Sequence, residues 1–277
     1  MTGPDLRPLS LGEILDRTFS LYRNNFILFI GIAGIPHILI LAVSVLQLYF
    51  YGNDNPFLPG GHPVTFFVVM AVALLIMIPT GLLASGGTVI AVSEVYLGRP
   101  VLISDALRRA WNKFGSLLGL TILSSLALLG SALLLIIPAF YVGCRLAVST
   151  PGIVIEGKGP RQAMKRSWQL TSDFTGRAFM ILLLYFALSL AATALFSAPF
   201  TYGAIVNLKD PAASQVWKVM NQISTSIGNV LIEPILLIGL SIFYFDLRVR
   251  KEAFDLQLML DPAGTPPPAI DAEPSPL

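Results

Sequence analysis

The stretch FILFIGIAGIPHILILAVSVLQLYF, residues 26–50, carries no Asp, Glu, Lys or Arg. A helix rising about 1.5 Å per residue needs roughly 20 apolar residues to cross the hydrocarbon of a bilayer. The stretch therefore reads as a transmembrane helix. Working outward, residues 64–92 and 115–137 have the same character, as do residues 176–206 after Arg177. Residues 139–155 are apolar but shorter and hold Arg145, and residues 223–245 hold Glu233. The chain thus reads as an all-α polytopic membrane bundle of about six transmembrane helices. Over its 277 residues, 55% are hydrophobic and only 12% charged, half the charge of an ordinary soluble domain. That composition excludes a soluble globular protein of this size, because so few charges cannot cover so much apolar surface.

Lys and Arg fix an expected orientation. Arg7, Arg17 and Arg23 precede the first span; Arg99, Arg108, Arg109 and Lys113 lie between spans two and three. Lys158, Arg161, Lys165, Arg166 and Arg177 lie between spans four and five, and Arg248, Arg250 and Lys251 follow span six. The other side has Lys209 and Lys218 alone, fifteen against two. The bias predicts both termini in the cytoplasm. No cleavable signal sequence, transit peptide or lipidation motif is evident, which favours a prokaryotic plasma membrane. Residues 1–260 read as the membrane domain. Residues 261–277, rich in proline and without a basic residue, read as a disordered tail. The turn-rich stretch 52–63 reads as an outer loop in which His62 is solvated.

A short pattern recurs before spans one, three and five: Ile14-Leu15-Asp16-Arg17-Thr18-Phe19, Ala106-Leu107-Arg108-Arg109-Ala110-Trp111 and Ala163-Met164-Lys165-Arg166-Ser167-Trp168. Apolar positions at i, i+1, i+4 and i+5 make one face of a helix. Ser10 with Glu13 forms a capping box for the first helix, Ser104 can cap the second, and Pro160 suits the first turn of the third. The chain therefore reads as three tandem units, each an interfacial amphipathic helix followed by a membrane hairpin. The intervals of 92 and 57 residues between Arg17, Arg109 and Arg166 are unequal, so shared physics is the competing explanation. The helices are expected to lie on the inner leaflet, with Arg17, Arg108, Arg109, Lys165, Arg166, Trp111 and Trp168 as candidate lipid-headgroup contacts. Plain anchoring of the fold would use the same residues. A final amphipathic segment is expected to carry span six into the cytoplasm or along the surface, with Phe245, Val249, Leu256 and Leu260 on one face.

Charges inside the spans are costly, about 2.5–3.5 kcal/mol each at the helix centre on insertion scales. Arg145 and Glu233 each lie twelve residues before the expected cytoplasmic end of a span, and His37 falls near the same depth. The three form a candidate intramembrane polar site, read first as a structural Arg145–Glu233 pair and second as a polar pocket for a substrate or proton. Pro36 and Pro234 adjoin it. Gly115 with Gly119, Gly81 with Ser85, and Ser189 with Thr193 permit close helix packing, within one chain or between copies. Cys144 reads as packing, and one cysteine with two distant histidines gives no zinc pattern. No phosphate loop, nucleophile elbow, metalloprotease motif or triad spacing occurs, so no catalytic residue, metal or cofactor is expected.

The opening Leu9-Ser10-Leu11-Gly12-Glu13-Ile14-Leu15-Asp16-Arg17-Thr18-Phe19 resembles the membrane domain attached to glycerophosphoryl diester phosphodiesterases. So do Arg145, Pro151, Glu156-Gly157, Ala163, Ser167-Trp168 and Leu170-Thr171, and the closing Tyr244-Phe245-Asp246-Leu247-Arg248-Val249-Arg250-Lys251-Glu252. In the fused proteins the enzyme is a separate barrel with a catalytic His and carboxylates binding a metal. This chain has no room for that barrel, so the resemblance implies a stand-alone membrane domain near phospholipid metabolism, without diesterase activity. The expected role is a non-enzymatic, lipid-interacting scaffold or accessory protein. Expected partners are membrane lipids, anionic ones included, and a second copy or another membrane protein; no nucleic acid is expected. The alternative is a small transporter using the polar site near Arg145 and Glu233.

Overall fold

The computed structural model describes residues 7–51 and 63–252. The tail 261–277, the loop with His62, and Leu256 and Leu260 lie outside them. Among the described residues the chain is all helix: α1 (Leu11–Asn24), α2 (Phe26–Tyr51), α3 (Pro63–Tyr96), α4 (Ile103–Trp111), α5 (Phe114–Leu134), α6 (Ile136–Leu146), α7 (Ser149–Val154), α8 (Pro160–Leu170), α9 (Thr175–Val206) and α10 (Pro211–Glu252). Six stretches are long and apolar enough to span a membrane: α2, α3, α5, α6 with α7, α9 and α10. Their lipid-facing residues stay exposed, as Ile27, Leu75, Leu133 and Leu195 do.

Two spans depart from the expected boundaries. The fourth begins at Ile136, after an extended Leu135, so Pro138 lies in the first turn of α6 rather than in a connecting turn. It also breaks between Leu146 and Ser149, where α7 begins. The sixth is longer at both ends than the apolar run alone. At about 1.5 Å per residue its 42 residues reach roughly 63 Å, about twice the hydrocarbon thickness. Residues 211–222, read as loop because of their polar side chains, form its first three turns. Its far end does not run along a surface. Every residue from Ile238 to Val249 is buried, including Asp246 and Arg248, so α10 is the pillar of the core.

The three helices of the recurring pattern are α1, α4 and α8. The capping box of Ser10 and Glu13 forms, and Pro160 opens α8. Ser104 does not cap α4, which starts one residue earlier at Ile103, after Leu102. The i and i+4 positions of the pattern are buried in all three: Ile14 and Thr18, Ala106 and Ala110, Ala163 and Ser167. Each pair sits against a glycine of a spanning segment. A Cβ on Gly239 would lie 3.6 Å from Thr18, one on Gly86 3.2 Å from Ala110, and one on Gly152 3.6 Å from Ala163.

Those glycines reveal the architecture. Unit one is α1 to α3, unit two α4 to α7, unit three α8 to α10. The interfacial helix of unit two packs on α3 of unit one, that of unit three on α7 of unit two, and that of unit one on α10 of unit three. First spans follow the same rule: α5 meets α3, α9 meets α6, and α2 meets α10. The units form a closed, pseudo-threefold ring with α3, α7 and α10 meeting at its middle. The interfacial helices all lie at one end of the bundle, here called basal; the hairpin turns lie at the distal end.

Candidate functional site

The second span of each unit ends at the basal side with a carboxylate, and each carboxylate grips the next unit. In unit one, Glu94 accepts from Arg109 Nη1 of α4 at 2.7 Å. The helix then ends at Gly98, whose φ of 74° and neighbouring bonds (Arg99 N to Glu94 O, 2.8 Å) make a left-handed C-terminal stop. In unit two, Glu156 follows α7 and precedes Gly157, which has φ 68°. Arg166 of α8 binds Glu156 through Nε and Nη2 at 2.9–3.1 Å. In unit three, Asp246 of α10 is fully buried and accepts from the Leu9 backbone N–H at 2.7 Å and from Arg250 Nε at 2.9 and 3.1 Å. The Leu9 carbonyl accepts in turn from Arg177 and Arg250.

Around Glu156 the charges form a network. Tyr244 donates to it, Lys158 lies at 3.2 Å and Arg248 Nε at 3.7 Å. Arg248 also binds Glu252, which pairs with Arg166. Burial acts to raise the Glu156 carboxyl, but hydrogen bonds from Arg166 and Tyr244, with the fields of Arg166 and Arg248, outweigh it and hold it below its ordinary range. Burial acts to lower the Arg166 guanidinium, and its bonds to Glu252 and Glu156 prevail and raise it. A buried network of this kind stabilises only when every member is paired.

The candidate headgroup residues divide accordingly. Arg166 is turned inward: its side chain is 17% exposed and committed to Glu156 and Glu252. Arg17 donates to Tyr96 Oη at 2.9 Å in a half-buried setting. Arg109 is paired with Glu94 while remaining 56% exposed. Arg108 and Lys165 are exposed and form no ion pair among the described residues. Trp111 is 60% exposed and stacks on Phe114. Trp168 faces out on one side and covers Arg145 on the other.

The structure separates the expected polar site. Arg145 and Glu233 do not pair. The Arg145 guanidinium lies 4.6 Å from the Trp168 ring centroid and 5.8 Å from that of Tyr141, and its Nε has no hydrogen-bond partner. The break after Leu146 frees the Arg145 carbonyl, which accepts from Ser167 Oγ at 2.7 Å and Thr171 Oγ1 at 3.2 Å. Arg145 thus belongs to the basal layer beside α8, because α6 ends one residue later instead of running straight on. His37 and Glu233 do come together, with Nε2 3.3 Å from Oε2. Cys144 is buried as packing. Of the small-residue pairs, Gly119 packs on Pro160 of α8, whereas Gly115 and Gly81 face open space.

Glu156, Asp246, Arg248 and Glu252 were not singled out by sequence reasoning, although they fall in the stretches that carry the family resemblance. Their signal was charge at the end of an apolar run, which reads equally as a solvated helix end. Among the described residues no group of three His, Cys, Asp or Glu side chains could hold a metal ion. No curated protein matches the chain. No solved structure matches it either. Residues 118–249, from α5 through the Glu156 network to the buried end of α10, match a family described as the membrane domain of glycerophosphoryl diester phosphodiesterase.

Proposed function

We propose that this chain is a non-enzymatic membrane scaffold or accessory protein that binds anionic lipid headgroups on its basal face, in connection with phospholipid metabolism. The basal face is cytoplasmic, with both termini there, in a prokaryotic plasma membrane; the excess of Lys and Arg at that end supports this orientation. The observation that carries the reading is how the recurring pattern sorts its cations. The last basic residue of each repeat, Arg17, Arg109 or Arg166, is bound within the protein. The residue before it in α4 and α8, Arg108 or Lys165, is exposed beside an exposed tryptophan. One set builds the ring and the other faces outward at headgroup depth. The transporter alternative rested on a polar site near Arg145 and Glu233; those two lie apart, and Glu233 meets His37 instead.

Each exposed cation near an anionic surface contributes about 1 kcal/mol. Arg108→Gln with Lys165→Gln is therefore expected to lower retention of anionic lipid in a liposome pulldown about 30-fold at low salt, and added salt to act alike. Arg166→Gln should instead lower the melting temperature and leave lipid retention by the folded fraction close to wild type. Equal retention by the Arg108/Lys165 variant and the wild type would reject the headgroup role.

A further inference from the structure

The pairing of His37 with Glu233 is the one polar contact of the expected site that forms, and it lies far from the basal face. Counting about 1.5 Å per residue along α10, Glu233 is roughly 20 Å from the Asp246 ring contact. His37 is 8% exposed. Its Nδ1 lies 3.0 Å from the Ala33 carbonyl. A carbonyl oxygen only accepts, so Nδ1 carries a proton, which leaves Nε2 as the nitrogen facing Glu233 Oε2 at 3.3 Å. With one more proton, on Nε2 or on the carboxyl, the pair is neutral overall and the contact is a hydrogen bond. Without it, a nitrogen lone pair faces a carboxylate and an uncompensated negative charge remains in hydrocarbon. Prolines flank both partners. Pro36 and Pro234 have no N–H to offer the carbonyls of Ile32 and Val230, which adds acceptors within a turn of the pair.

The same helix carries a polar stripe from the pair to the distal end. Lys218, Gln222, Thr225, Ser226, Asn229 and Glu233 recur at intervals of three and four along one side of α10. This is not the side that packs on α9, where Asn221 binds Ser197, Ser224 binds the Phe196 carbonyl and Gly228 meets the Phe196 ring. Two polar atoms on or near the stripe, Ser214 Oγ and Thr225 Oγ1, are buried without a hydrogen-bond partner among the described residues. A buried hydroxyl without a partner loses the hydrogen bonds it had in water, so two on one stripe mark a place that water would satisfy. The Glu233 side chain is 43% exposed beside an exposed Asn229. From Lys218 to Glu233 the stripe covers roughly 22 Å.

We infer that His37 and Glu233 form a proton-binding site within the membrane, loaded from the distal aqueous side along the polar stripe of α10. The step is a single proton transfer. The proton leaves water, binds between Nε2 and Oε2, and returns to water, with no heavy-atom bond made or broken. Among the described residues, other titratable groups near the pair are few. Tyr185 of α9 is close enough to feel the Glu233 charge, and Tyr22 of α1 donates to the Leu231 carbonyl at 2.8 Å. Among the described residues α2 holds no Asp, Glu, Lys or Arg, Arg23 follows Tyr22 on α1, and Glu94 of α3, Arg109 of α4, Arg166 of α8 and Arg177 of α9 make the basal contacts described above. The site is independent of the headgroup reading, because it uses none of the residues of the basal face.

The test uses the two-histidine composition of the chain. In a His62→Gln background the full-length protein, labelled with ¹⁵N-histidine and placed in lipid nanodiscs, gives one imidazole by NMR. The ring shifts are expected to switch with pH, and Glu233→Gln to move the pH of that switch by about 1–3 pH units. Glu233→Asp, which keeps the carboxyl, should retain the switch, so loss in the Gln variant reports chemistry and not misfolding. Thr225→Val with Asn229→Leu should slow exchange of the bound proton with water several-fold, while Lys165→Gln at the basal face leaves it unchanged. A switch at the same pH in wild type and Glu233→Gln would overturn the proton site. Unaltered exchange in the Thr225/Asn229 variant would overturn the distal route.

Discussion

A guanidinium in an apolar helix needs either a carboxylate or a polarisable surface, and Arg145 takes the second. Stacked over Trp168, it gains the attraction of the ring quadrupole, about 0.5–2 kcal/mol depending on desolvation. Its backbone carbonyl, freed by the helix break, holds Ser167 and Thr171 of the same α8. Arg145 and Trp168 should therefore couple in a double-mutant cycle. Arg145→Leu and Trp168→Leu are each expected to lower the detergent melting temperature, with the double variant losing clearly less than the sum. Arg145→Leu and Glu233→Leu should simply add, since sites without shared partners are additive. Coupling between Arg145 and Glu233 would contradict the structure. The residues worth attention were legible in the sequence because a charge in an apolar run stands out. Their partners were not. Matching depths by counting residues assumes unbroken helices, and the break between Leu146 and Ser149 shifts Arg145 away from the depth that counting gives, while leaving His37 and Glu233 facing each other.

At the scale of elements, the recurring pattern earns its meaning from small residues. Ala106 and Ala110, like Ala163 and Ser167, let α4 and α8 approach glycines of the spans closely enough for backbone contact. Ala110→Leu should overpack the α4–α3 contact, where a Cβ on Gly86 would already lie 3.2 Å from the Ala110 Cβ. The cost expected is about 1–3 kcal/mol. Arg108→Leu, two residues away and exposed, should leave unfolding unchanged; urea or thermal melts in one detergent compare the two. The pattern was readable because i and i+4 residues share a helix face whatever the tertiary context. The start of α10 was not readable. Its outer turns are polar, through Ser214, Gln215, Lys218, Asn221 and Gln222, and polar residues at a span's edge look like loop until a neighbour such as α9 supplies partners.

For the whole molecule, the ring makes Leu9 and Asp246, near the two ends of the described residues, neighbours. The Leu9 N–H lies 2.7 Å from the Asp246 carboxylate, 237 residues away in sequence. A circular permutant that joins Glu252 to Arg7 through a short linker, and opens between Gly98 and Arg99, keeps the side-chain contacts that join the three units. It also keeps both new ends on the basal side, so its insertion topology is preserved. It should melt within a few degrees of the parent in detergent. A permutant opened between Asn207 and Pro211 moves its ends to the distal side and should fail to insert. If the first permutant also failed, the units would not close as a ring. The expectation of three units rested on three hexapeptides, and unequal spacing spoke against it. The spacing differs because loops and span lengths vary, while the glycine and carboxylate contacts repeat.

The same closure sets a timetable for biosynthesis. A ribosome delivers the chain from its N-terminus, so α1 reaches the membrane surface long before α10 exists to receive it. Until then Ile14, Thr18 and the Leu9 backbone have no protein partner, and the first hairpin waits beside the insertion machinery with its docking face open. The last helix made completes two of the three seams, since Asp246 and Arg250 secure the first unit and Tyr244 and Arg248 reach the second, whereas Glu94 and Arg109 join units one and two without it. A nascent chain stalled before residue 238 should therefore be inserted yet unlocked, and open to proteases that the finished protein resists.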